Sequence, residues 1–88
     1  MCYSPPVPTI LRIGHLRVVI YPNDHRPAHV HVIGPENWAV FYLNCPEGPV
    51  SLRGNDGFRK RELNRIADAL NLHATELCVL WEEIYANH

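Results

Sequence analysis

Apolar and β-branched residues alternate with a period of two through the first half of the chain, then recur at three-and-four spacing through the second. The first pattern sends successive side chains to opposite faces of a strand, and the second builds one stripe along a helix. Thr9–Ile13 and residues 16–21 are the first two strand-like runs. Gly14-His15 between them fits a two-residue hairpin turn of type II′, since glycine accepts a positive φ without steric cost. Pro22-Asn23-Asp24-His25-Arg26-Pro27 reads as a loop, because its prolines lack amide donors and its Asn-Asp pair favours a turn. A third strand follows at His29–Ile33, where Val30 and Val32 share one face and His29 and His31 the other. Gly34-Pro35-Glu36-Asn37 signals a turn into a fourth run at 38–43.

Residues 44–57 carry two prolines and three glycines, which predicts a long loop in which only Val50-Ser51-Leu52 can form a short edge strand. From Phe58 the period becomes helical, with Leu63, Ile66, Ala67 and Leu70 on one stripe. A break at Asn71-Leu72-His73 precedes a second stripe of Leu77, Leu80, Trp81 and Ile84. The helices need an apolar surface to cover, and one face of the meander supplies it. The expected fold is therefore α+β: an antiparallel β-meander of about four strands, followed by two C-terminal helices packed on one face. Its 88 residues suit a single domain, 1–88, with 1–8 as a flexible segment.

Composition narrows the class. Hydrophobic residues make up 47% and charged residues 19%, the balance of a globular protein and not of a disordered one. No apolar run approaches the roughly 18 to 20 residues of a membrane span, and no basic-then-apolar leader opens the chain, so a cytoplasmic location is expected. Cys2, Cys45 and Cys78 are odd in number, widely spaced and without a C-x-x-C pair, which predicts reduced thiols with Cys78 in the core. Charge is uneven: residues 1–65 hold all eight Lys and Arg with five acids, whereas 66–88 hold four acids and no base. That asymmetry suits head-to-tail association or a weak anionic contact, and so small a core is compatible with a homodimer.

The sharpest chemical signal is His25-x3-His29-x-His31. Histidines two apart on a strand have Cβ atoms about 6 to 7 Å apart, close enough for both imidazoles to reach one metal ion. His25 in the preceding loop would be a third ligand, leaving a fourth position for water, as at catalytic zinc sites. Asp24, or an acid from the second helix, would then act as base or orient a ligand. Two other readings stay open: an anion site formed by the histidines with Arg26, and a strand whose histidines simply face solvent. Arg61 and Arg65 share a helix face that could touch nucleic-acid phosphates, but a solvated charge run is the commoner meaning of such a pattern. There is no nucleophile elbow, phosphate loop or C-x-x-C pair.

Pro8-Thr9-Ile10-Leu11-Arg12-Ile13, then Pro27-Ala28-His29-Val30-His31-Val32, Gly57-Phe58 and Trp81-Glu82-Glu83 occur in order along nearly the whole chain. Together they resemble the bacterial family known as domain of unknown function 4160, whose most specific part is Pro-x-His-Val-His-Val. The resemblance implies a small cytosolic protein encoded beside another small protein, a context associated with toxin–antitoxin pairs. It places His29 and His31 on the family's histidines, Glu83 on the acid after the tryptophan and Glu62 on the acid early in the first helix. Two positions depart from the pattern. Arg59 replaces a Ser or Thr that would cap the first helix with Glu62, which shifts the expected cap to Asn55 or Asp56. Glu82 replaces a histidine in Trp-His-Glu.

The leading expectation is a protein-interaction module, one half of a toxin–antitoxin pair, contacting a partner encoded nearby through Arg26, His29, His31 and Glu62. The alternative is a small metal-dependent hydrolase or ribonuclease that binds zinc through His25, His29 and His31, with His31 and Glu83 as catalytic groups.

Overall fold

The computed structural model describes residues 9–86; the expectation of a flexible segment at 1–8 lies outside them, as does Cys2. Five strands form one antiparallel sheet in sequence order: β1 Thr9–Ile13, β2 Leu16–Val19, β3 His29–Ile33, β4 Trp38–Tyr42 and β5 Ser51–Asp56. Two helices follow, α1 Lys60–Leu72 and α2 Ala74–Ala86. The fold is the expected α+β meander with two C-terminal helices, and it has one strand more than the periodicity revealed. Gly14 takes a φ of +60° in the β1–β2 turn, as that position requires.

Alternation decides the two faces. Val18, Val30, Val32, Ala39 and Phe41 point to one side, where they are buried against Ile66 and Leu70 of α1 and Leu77 and Trp81 of α2. The other side presents Val19, His31 and Val40, which are partners across β2, β3 and β4. β3 lies at the centre of the five strands, so its histidines are held by paired backbone on both sides.

β5 pairs with β4 from Tyr42↔Ser51 to Trp38↔Asp56, where the sequence predicted mostly loop. Its residues are exposed apart from a half-buried Gly54, so they carry no apolar alternation to read. An edge strand with one neighbour tolerates such polarity and is protected from further pairing by it. The register shifts within this pair. Phe41 faces Leu52 while Val40 faces Gly54, leaving Arg53 as the extra residue of a β-bulge.

The cysteines also depart from expectation. Cys45, in the β4–β5 connection, is joined to Cys78 of α2 by a disulfide, with Cα atoms 5.8 Å apart. The partners are 33 residues apart in sequence, and only the packing of α2 against the end of the sheet brings them together. Cys78 is buried in the core, as expected.

The start of α1 supplies a smaller correction. Its N-cap is Arg59, and Glu62 Oε1 accepts the Arg59 backbone N–H at 3.0 Å. Arginine has no acceptor to return the bond, so half of a capping box survives. Asn55 instead joins Phe58, accepting its N–H at 3.1 Å and donating to its carbonyl at 3.0 Å. Among the described residues, no helix is long and apolar enough to cross a membrane.

Candidate metal centre

His29 and His31 leave the same face of β3, as period two requires, with ring centroids 5.3 Å apart. The β2–β3 loop folds back over them. Its turn is set by the Asp24 N–H, which donates to the Tyr21 carbonyl at 3.1 Å, and this brings the Asp24 carboxylate to both imidazoles. Asp24 Oδ2 lies 3.2 Å from His29 Nε2 and 3.3 Å from His31 Nε2. The ligating atoms of Asp24, His29 and His31 all lie within 4.8 Å of one another.

The ring of His29 is fixed from its other side. Nδ1 is 2.8 Å from the Pro27 carbonyl oxygen, which can only accept, so Nδ1 carries the proton. A neutral His29 then directs an unprotonated Nε2 at a carboxylate oxygen, and two lone pairs face each other across 3.2 Å. Either a proton or a cation must occupy that gap. An Nδ1–H bond to a backbone carbonyl with Nε2 free is also the usual support of a metal-binding histidine.

His29 is 4% exposed, with its ring 6.4 Å from that of Trp81, whereas His31 is half-buried with Tyr21 edge-on at 4.6 Å. Burial pushes the His31 pKa below its ordinary value, against the pull of Asp24, so its lone pair is available near neutral pH. The sign of the linkage follows. A depressed imidazole pKa gives stability that is complete above about pH 6.5 and is lost as pH falls through the lower folded-state value. In metal-free protein the urea midpoint should therefore drop from pH 7.5 to pH 5, and the slope should flatten in His31→Gln.

Arg26, expected as a binding residue, is already engaged. Its guanidinium donates to both oxygens of Glu82, at 2.7 and 2.6 Å, and sits over the rings of Trp81 and Tyr85. That pair draws the Glu82 pKa down and ties the Asp24 loop to α2. Glu82 is thus the helix acid that reaches the loop. Glu83 is exposed on α2 and is not among the residues lining the clefts that hold His25 and His29. Glu62 belongs to the cap of α1, in a separate depression with Arg59 and Arg61.

Of the three expected ligands, the structure brings together two, His29 and His31. His25 is exposed and lines the neighbouring clefts, but it is not in the cluster; Asp24, the residue before it, offers the third donor atom beside the two imidazoles. Loop residues have no periodicity, so spacing alone favoured the histidine. Arg53 and Tyr42 were missed altogether. They line a cleft of about 190 Å³ together with Asp24, His25 and His29.

The chain is thus a five-stranded meander with two helices on one face and a His-x-His strand and a loop carboxylate on the other. The chain is a member of the family described as Domain of unknown function (DUF4160), whose model matches residues 16–82. That span contains all three clustered residues and ends at Glu82. No curated protein and no solved structure matches the chain.

Proposed function

We propose that this domain binds a divalent transition-metal ion through Asp24 Oδ2, His29 Nε2 and His31 Nε2. One observation carries the reading: the spacing of these atoms around the lone pair that His29 directs at Asp24. Ligands about 2.1 Å from a shared ion lie about 3.0 Å apart at a right angle and about 3.4 Å apart at a tetrahedral angle. The Asp24–His29 and Asp24–His31 separations of 3.2 and 3.3 Å fall between those limits, and the two imidazole nitrogens, within 4.8 Å of each other, would draw together on binding. Two imidazoles and a carboxylate suit zinc and the neighbouring transition metals, and three protein ligands leave at least one position open. A cation held this way lowers the pKa of a bound water, which is the chemistry of metal-assisted hydrolysis.

The test is calorimetric titration of metal-free protein with zinc at neutral pH. Stoichiometric binding at micromolar affinity or tighter is expected. Binding that is absent, or that persists unchanged in His29→Ala/His31→Ala, overturns the proposal. The interaction module is then the remaining reading. The observation in its favour is the set of large apolar side chains left exposed on the helices, Leu72 at 81% and Val79 at 54%.

A further inference from the structure

Asp24 and His29 of such a centre line one cleft with Arg53, and we infer that the two together form a phosphate-binding subsite. This inference rests on the metal reading above and adds the class of ligand. Three features of the structure converge on it.

The first is the bulge. A regular β5 would alternate Leu52, Arg53 and Gly54 across the sheet, but the extra residue at Arg53 breaks that alternation. Gly54 remains opposite Val40, on the face that carries His31. Arg53 is brought over Tyr42, with its guanidinium carbon 5.8 Å from the ring centre, and Tyr42 is the cross-strand partner of His29. The bulge lies beside the site, and the cation over Tyr42 sits next to the start of β3.

The second is that Arg53 has no carboxylate partner among the described residues. Arg26, the other arginine of the cleft, is neutralised by Glu82. An arginine held near a cationic centre without an acid lacks an anion, and its planar fork matches a phosphate.

The third is size and charge. About 190 Å³ holds roughly six waters at ~30 Å³ each, enough for one phosphate group but not for a drug-sized molecule. A divalent cation, the Asp24 carboxylate and the Arg53 guanidinium leave two positive charges in total. A phosphate dianion cancels both, whereas a carboxylate cancels one. The ligand is therefore a phosphate group, either free or as a monoester whose remainder lies outside the cleft.

Inorganic phosphate and phenylphosphonate, a non-hydrolysable monoester mimic, should each be titrated into zinc-loaded protein, with acetate as the carboxylate control. At least one of the first two is expected to bind with unit stoichiometry, and the tighter of them identifies free phosphate or monoester as the source. Arg53→Ala should weaken that binding at least about tenfold, the scale of losing a charge-assisted bidentate contact, with zinc affinity unchanged. Arg53→Lys should recover part of it. Arg53 is exposed, so both variants should retain the wild-type circular dichroism spectrum. If zinc binds but neither phosphate probe does, if acetate binds as tightly, or if Arg53→Ala binds phosphate like the wild type, the subsite is refuted and the metal centre stands. If zinc itself does not bind, the metal reading fails and this inference falls with it.

Discussion

Asp24→Ala should weaken zinc binding by at least about 100-fold, while His25→Ala leaves it unchanged within the error of the titration. Loss of an outer partner of a metal ligand already costs about 10- to 100-fold, so loss of a ligand that carries charge should exceed that range. Asp24 is the single anionic member of the cluster, and its Oδ2 is the atom nearest both Nε2 atoms. Without it the two imidazoles remain in place on β3, but nothing offsets the charge of the incoming cation. Asp24→Asn keeps the shape and removes the charge, so it should resemble Asp24→Ala. The contrast with His25 matters because the sequence nominated that histidine. A large effect at His25 with a small one at Asp24 would restore the three-histidine arrangement and displace the geometry described above.

Loss of the Cys45–Cys78 bond should lower the unfolding free energy by about 3 to 4 kcal/mol, the loop-closure entropy that the chain-entropy account assigns to a sequence separation of 33 residues. That is a large share of the roughly 5 to 15 kcal/mol available to a whole domain. Urea unfolding of oxidised protein should be compared with the same protein under reductant and with Cys45→Ser/Cys78→Ala. The reduced protein and the double variant should unfold together at lower urea, and coincident transitions for oxidised and reduced protein would contradict the prediction. The effect should reach the metal site. Cys78 lies one turn before Trp81 and Glu82, and Glu82 holds Arg26 and with it the Asp24 loop. Zinc affinity should therefore fall on reduction, by less than in Asp24→Ala. In a reducing cytosol, the compartment expected from the sequence, the pair would be a dithiol and this stabilisation would be missing.

The parts of the fold that were legible in the sequence are those where one face is buried. Val30 and Val32 had to point inward, so His29 and His31 had to share the opposite face, and that pairing came from period two alone. The stripes Ile66–Leu70 and Leu77–Trp81 were readable for the same reason. β5 was not, because an edge strand whose side chains are exposed has no buried face to impose a pattern. Arg53 was lost with it, since a bulge is a property of register between two strands and leaves no trace in one. Asp24 was visible as an acid beside the histidines, but the approach of its carboxylate to both imidazoles depends on a loop turn that no spacing rule supplies. The Cys45–Cys78 bond depends on where α2 docks, and the odd number of cysteines argued the other way. Arg59 shows the reverse case: its side chain cannot cap, yet the Glu62 half of the motif persists because it needs only the Arg59 backbone N–H.

The central claim is that one metal ion sits between Asp24, His29 and His31, and anomalous diffraction from a zinc-soaked crystal tests it most directly. The account predicts a single strong zinc peak with Nε2 of both histidines and Oδ2 of Asp24 within about 2.0 to 2.2 Å. A crystal with no peak there, or with zinc bound through His25 in place of Asp24, would contradict it.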